Sequence, residues 1–201
     1  MNREVIQADT TKWIKTIDKM DSVITSLPDK EETSFDSFKE WKNWFIDIVS
    51  EIIKKTKDYA IFYQTDRKTS GKIISKSYLL NKGNEKAGGS LMWHKIALRR
   101  DVGKIDLFRP SYTHFLCFSL NKTSGRAIPD VVNRGEMLYN NAMGMDVCKM
   151  CCEFIRKKSD TKTIYDPFCG YGSVLKVAND FNFNSVGIEI LEDSCKIAKK
   201  L

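Results

Sequence analysis

Apolar positions recur at two spacings along this chain. Short, almost continuously apolar runs predict strands at Val5–Ala8, Ser22–Ser26, Tyr59–Gln64, Leu91–Leu98, His114–Leu120, Thr163–Tyr165 and Ser185–Ile190, seven in all. The first ends at Asp9, and the second is stopped by Leu27-Pro28-Asp29. Between them lie segments with apolar residues three and four apart. Thr11–Asp18 places Trp13, Ile14 and Ile17 on one helical face, and Ser37–Lys55 does the same with Phe38, Trp41, Phe45, Ile48, Val49 and Ile52. Further helices are expected over Lys72–Leu80, from an Asp146 N-cap to about Lys157, over Ser173–Asn179 and over Glu192–Leu201. Strands alternating with helices imply a mainly parallel sheet covered on both faces, with Leu91–Leu98 and His114–Leu120 able to pair antiparallel. No repeat or Pro/Gly/Ser-rich linker divides the chain, so one domain over 1–201 is expected, with no element left over.

Composition narrows the partners. With 201 residues, 42% of them apolar and 29% charged, the chain suits one compact domain. No apolar run reaches membrane-spanning length and the N-terminus lacks a signal-peptide pattern, so an intracellular protein, cytoplasmic or nuclear, is expected. Lys and Arg (33) outnumber Asp and Glu (26), a net charge of +7 that favours a polyanion such as nucleic acid. The basic residues collect in Arg67–Lys76, Arg99–Arg109 and Arg156–Lys158. Runs of this kind are often solvated faces. The first two, however, follow strands at the edge where a substrate backbone would pass, which makes Arg99, Arg100 and Arg109 candidate nucleic-acid contacts. Six cysteines without a secretory signal read as free thiols. Cys148, Cys151 and Cys152 share one helical face, but with only His94 and His114 in the chain a tetrahedral metal site lacks a fourth ligand. Core packing is the reading for these thiols, and no metal is expected.

The strongest chemical signal is Asp166-Pro167-Phe168-Cys169-Gly170-Tyr171-Gly172-Ser173, set between a strand and a helix. A ligand at a strand's carboxyl end needs a backbone that turns tightly and comes close, which glycines permit. Seventeen residues after Gly172, the next strand ends in Gly187-Ile188-Glu189-Ile190. A carboxylate there can accept both ribose hydroxyls of a nucleoside cofactor. A dinucleotide is the rival ligand, but the third glycine of G-x-G-x-x-G is missing.

These two motifs resemble the cofactor motifs of S-adenosylmethionine-dependent amino-methyltransferases acting on adenine N6 or cytosine N4. In one permuted group of that family they come last and the catalytic motif comes first, the order seen here. Val5-Ile-Gln-Ala-Asp9 resembles the strand whose terminal acid lies near the cofactor adenine, and Val23-Ile-Thr-Ser-Leu-Pro-Asp29 resembles the catalytic strand and loop. Trp93-His-Lys95 and Thr113–Ser119 resemble late strands, and Met143-Gly-Met-Asp146 resembles the segment beside the methionine part of the cofactor. The resemblance implies a Rossmann-like class I fold in circularly permuted order, with a seven-stranded, mostly parallel sheet and one antiparallel strand. Residues 1–125 would form a catalytic half and 126–201 a cofactor-binding half. S-adenosyl-L-methionine would be held by Asp9, Asp166, Pro167, Phe168, Cys169, Gly170, Gly172, Glu189 and Ile190.

The catalytic residues implied are Ser26, Leu27, Pro28 and Asp29. The family's usual loop is Asp, Asn or Ser, then Pro-Pro, then an aromatic that stacks on the target base. Ser26 and the Leu27 carbonyl can still aim an amine, whereas Asp29 cannot stack. Phe35, Trp41 or Trp93 could supply that platform. Methyl transfer to a base amino group is the expected activity, with structured RNA slightly preferred over DNA because only residues 99–130 remain to read a target. A non-catalytic partner subunit that retains the fold, or a methyltransferase for protein or small molecules, stays open.

Overall fold

The computed structural model describes residues 1–69, 71–107, 109–123, 128–140 and 142–201. The boundary expected between residues 125 and 126 lies outside the described residues. The elements are β1 (Arg3–Gln7), α1 (Thr10–Trp13), β2 (Ser22–Thr25), α2 (Phe38–Lys55), β3 (Ala60–Gln64), β4 (Arg67–Thr69), β5 (Lys72–Ile74), α3 (Lys76–Ala87), β6 (Ser90–Leu98), β7 (Tyr112–Ser119), β8 (Val131–Asn133), α4 (Met145–Lys158), β9 (Thr163–Asp166), α5 (Ser173–Asp180), β10 (Asn184–Glu189) and α6 (Glu192–Lys200).

Among the described residues eight strands form one sheet in the order β1-β10-β9-β2-β3-β7-β6-β8. Only β7 runs antiparallel to its neighbours. The apolar runs become central strands because both of their faces are covered. In β3, Ile61 and Tyr63 point into the layer holding α4 and α5, while Ala60 and Phe62 point into the layer holding α2 and α3. β7 divides in the same way, Phe115 and Cys117 against Leu116 and Phe118. Cys148, Cys151 and Cys152 are fully buried on the inner face of α4, the core packing expected of them.

The sheet winds outward in two directions. From β9 the chain crosses through α5 to β10, toward the β1 edge, and from β2 it crosses through α2 to β3, toward the opposite edge. A crevice therefore opens where β9 and β2 part, outside their carboxyl ends.

Several expected boundaries move. The sheet has eight strands rather than seven, because Val131–Asn133 adds parallel to β6 at the edge. Its three residues are too short for a recognisable apolar period. Lys72–Leu80 is not one helix. The β-branched Ile73 and Ile74 pair with Arg67 and Lys68 in the β4–β5 hairpin, and the helix starts only after Ser75, whose hydroxyl accepts from the Tyr78 N–H. The first helix is shorter than Thr11–Asp18, spanning Thr10–Trp13, with Asp9 as its N-cap. Asp146 does not cap α4. Gly144 holds that position, and Asp146 sits in the first turn, where its negative charge is favoured by the positive end of the helix dipole.

Candidate active site

The parallel strand ends carry the acidic and glycine-rich segments to one place. A cleft of about 810 Å³ is lined by Asp9 after β1, Ser26, Leu27 and Pro28 after β2, Asp166, Phe168, Cys169 and Gly170 after β9, and Glu189 and Ile190 at the end of β10. Its far wall comes from Tyr139, Ala142 and Met143, ahead of α4. The two strand tips and the Ser26 turn, far apart in sequence, face a common space.

Asp166 lies at its floor, 4% exposed. Its Oδ1 accepts from the Thr25 hydroxyl (2.7 Å) and the Phe168 N–H (3.2 Å). Burial nevertheless disfavours the anion more than those donors favour it, and with Glu189 nearby the carboxyl is pushed up to about 7. Glu189 braces the glycine turn. One oxygen accepts from the Gly170 N–H (3.0 Å) and the other from the Leu191 N–H (2.8 Å). Each carboxylate oxygen then keeps a lone pair free for a ligand. Asp9 Oδ1 accepts from the Thr11 N–H (2.8 Å), so the acid is oriented by the helix it caps.

The glycines divide their work. Gly170, at φ +51°, faces the cleft with space beside it. Gly172, at φ +89°, does not line the cleft, and a Cβ there would meet the Ala198 Cβ at 3.0 Å. It lets α6 approach α5, so helix packing is what requires a glycine at this position. Pro167 is buried, its carbonyl accepting from the Thr10 hydroxyl.

The loop after β2 is held by its carbonyls. Leu27 O accepts from Gln64 Nε2 (3.1 Å) and Pro28 O from Trp41 Nε1 (3.3 Å). Asp29 faces neither the cleft nor open solvent. Its carboxylate pairs with Lys76, with Arg67 Nη1 at 3.0 Å and with Arg109 Nη2 at 3.8 Å, and its backbone N–H donates to Glu32. This is a correction: Asp29 ties the loop to β4, α3 and the segment before β7, so its carboxylate is occupied by cations rather than directed at a substrate.

Of the three aromatics considered as a platform, only Phe35 lines the cleft. Trp41, on the buried face of α2, is 1% exposed, and Trp93 lies in the core on the other side of the sheet, against Phe115 and Phe154. Phe35 packs on Trp44 at 5.3 Å, and Trp44 meets Phe168 at 6.0 Å. Trp44, Tyr139 and Tyr171 also line the cleft. Trp44 and Tyr139 were not legible as site residues because each lies in a segment without a motif, and Tyr171 stands within the glycine motif, where the glycines rather than the side chain between them carry the signal. Among the basic residues, Arg109 reaches the Ser26–Asp29 loop through Asp29. Arg99 is mostly buried, donates to Pro110 O (2.9 Å) and lies 3.6 Å from Asp106, and Arg100 is exposed 3.7 Å from Asp106.

A mostly parallel sheet with one reversed strand, and a crevice at its switch point lined by strand-tip acids and a glycine turn, defines a Rossmann-like class I methyltransferase fold. Residues 146–200 match the N6/N4 methyltransferase family model, described as DNA methylase, in agreement with the resemblance read from the motifs. A putative DNA modification methylase from Thermus thermophilus, complexed with S-adenosyl-L-methionine, superposes with a TM-score of 0.72 at 13% identity, over 100% of this chain and 94% of that one. The M1.HpyAVI–SAM complex gives 0.68 at 13% identity over 98% of both chains. The cytosine-N4-specific PvuII DNA methyltransferase gives 0.78 at 13% identity, over 99% of this chain and 86% of that one. No curated protein matches by sequence. Among the described residues no helix is long and apolar enough to cross a membrane.

Proposed function

We propose that this protein is an S-adenosyl-L-methionine-dependent methyltransferase acting on a base amino group in DNA. The observation carrying the reading is the single cleft that holds Asp9, Asp166, Gly170 and Glu189 beside Ser26 and Leu27. The donor set fits the cofactor: two carboxylates suit a cationic amino acid and a ribose diol, and Gly170 leaves the turn open to close approach. When bound, the cofactor supplies a methyl group already activated by a sulfonium.

The chain's own residues bind and orient. Asp166 balances positive charge, Glu189 accepts from the diol with its remaining lone pairs, and Asp9 lies toward the nucleoside base. Phe168, Cys169 and Ile190 contribute apolar wall. Ser26 Oγ and the Leu27 carbonyl accept the N–H bonds of the target amine, fixing the direction of its lone pair, and such orientation supplies much of the rate. Gln64 occupies only one lone pair of that carbonyl. Phe35 takes the stacking role that Asp29 cannot, a contact worth about 1–3 kcal/mol.

DNA replaces RNA as the substrate of choice. The size argument for RNA loses its force because this chain spans 94% of a protein described as a putative DNA modification methylase. The family model points the same way. Residues 1–125 supply the target-facing half and 126–201 the cofactor-facing half in this reading. One observation favours a second reading, a non-catalytic partner: the Asp29 carboxylate, where the family has an aromatic, is committed to three cations.

Incubation with methyl-labelled cofactor and DNA, RNA or cell protein separates the readings. The expected result is label on DNA bases, lost in Ser26→Ala. Cofactor retained without transfer would establish the partner reading, and label confined to RNA or protein would overturn the DNA assignment.

A further inference from the structure

A second cleft, of about 270 Å³, opens beside the first and shares Asn140 and Ala142 with it. Four strand ends on one face of the sheet build it: Tyr63 and Thr65 at the end of β3, Thr113 at the start of β7, Arg99 after β6 and Arg134 after β8. Arg109 closes it. Three guanidiniums thus converge on a space whose lining, among the described residues, contains no carboxylate.

Their own partners lie outside that space. Arg99 has Asp106 at 3.6 Å, and Arg109 has Asp29 at 3.8 Å, beyond hydrogen-bond length. Arg134 makes no ion pair among the described residues, and its buried Nε has no hydrogen-bond partner. A buried, unpartnered guanidinium nitrogen is costly and calls for an acceptor. The Arg134 backbone that carries this side chain is held in place. Its N–H donates to Leu98 O (3.0 Å), and its carbonyl lies against Gly144, where a Cβ would collide with it. Burial pulls the Arg99 guanidinium below its usual range, and the positive charges of Arg134 and Arg109 add to it against the opposing pull of Asp106. The cations are therefore crowded as well as under-neutralised.

We propose that Arg99, Arg109 and Arg134 form an anion subsite that takes a backbone phosphate of the substrate strand next to the target nucleotide. The proposal rests on the nucleic-acid reading above. Bidentate Arg–phosphate geometry suits the arrangement, with Tyr63, Thr65 and Thr113 as hydroxyl donors around it. Because Arg109 also approaches Asp29 of the Ser26–Asp29 turn, a phosphate seated here registers the strand against that turn.

Arg134→Gln tests it, since losing an unpaired guanidinium removes no internal ion pair. Binding of a DNA duplex that the wild type methylates is measured from low to moderate salt, with cofactor affinity as the control. The expected result is an affinity lower by about tenfold or more at low salt and a log–log salt slope smaller by about one, with cofactor affinity unchanged. Arg134→Lys should recover part of the loss. Inorganic pyrophosphate should raise the melting temperature of the wild type and not of Arg134→Gln. If Arg134→Gln binds DNA with wild-type affinity and slope while DNA methylation persists, the subsite is refuted and the enzyme assignment stands. If the wild type binds no nucleic acid yet pyrophosphate acts through Arg134, the strand-phosphate proposal fails together with the function it rests on.

Discussion

At the scale of single residues, the site is governed by a carboxyl that folding keeps half-protonated near neutrality. Burial raises Asp166 to about 7, above its value in an unfolded chain. A group raised in this way contributes stability that is complete below the unfolded pKa and is lost as pH climbs through about 7. Asp166→Asn keeps the acceptor oxygen used by Thr25 and Phe168 but cannot ionise, so its melting temperature should exceed the wild type's at pH 8 and match it more closely at pH 5. The same variant should bind cofactor poorly, since the anion is what meets a cationic ligand. In the wild type, cofactor affinity should fall as pH drops below about 7, and calorimetry should detect proton release on binding. Affinity independent of pH between 6 and 8 would remove Asp166 from the binding account. Ser26→Ala is expected to spare cofactor affinity and abolish transfer, whereas Glu189→Ala should lose affinity, charge-assisted hydrogen bonds being worth about 1.5–3 kcal/mol each. That variant also frees the Gly170 and Leu191 N–H groups, so a loosened glycine turn should accompany the loss.

Among the elements, close approach of backbones decides outcomes that propensity alone would reverse. Gly83 sits inside α3, where alanine is ordinarily better by about 1 kcal/mol. A Cβ there would stand 2.5 Å from Val49 Cγ1 and 3.0 Å from the Ile46 carbonyl of α2. The helices must then separate, a strain of about 1–3 kcal/mol. Gly83→Ala should therefore lower stability in urea melts despite its helix propensity, and a gain would show that α2 and α3 can separate at this crossing without cost. Much of the element layout was legible. The helix from Ser37 announces itself through an apolar stripe, and its Ser37–Glu40 capping box fixes the start. The β4–β5 hairpin and β8 were not legible, because three-residue strands take their structure from partners rather than from a period of their own.

For the whole molecule, the turn after β2 is held from several directions at once. Asp29 collects Lys76, Arg67 and Arg109 from three separate segments, and the Lys76 side chain is only 5% exposed. Asp29→Asn leaves a nearly buried ammonium without its anion, and breaking such a pair costs about 3–5 kcal/mol, reduced here by the partial exposure of Arg67 and Arg109. A loss of about 2 kcal/mol or more in unfolding free energy, with methyl transfer impaired along with it, is expected from denaturant titration. A wild-type midpoint would show that these pairs add nothing net.

The amino-acid order by itself determined which chemistry is present. The alternation of strands and helices, the glycine turn, and the acids at the strand ends each arise from patterns spanning a few residues, where backbone sterics and apolar spacing act locally. Asp166 and Glu189 could therefore be singled out from local pattern, Asp9 and Ser26 through the family resemblance, and the fold brings all four to one cleft. Only the tertiary structure decided that Phe35 rather than Trp41 or Trp93 reaches that cleft, that Gly172 serves helix packing, and that Asp29 is neutralised by distant cations. Those outcomes depend on side chains from segments far apart in sequence meeting in one place. Their positions are set by how the sheet winds and how its two helical layers pack, and no local pattern encodes that.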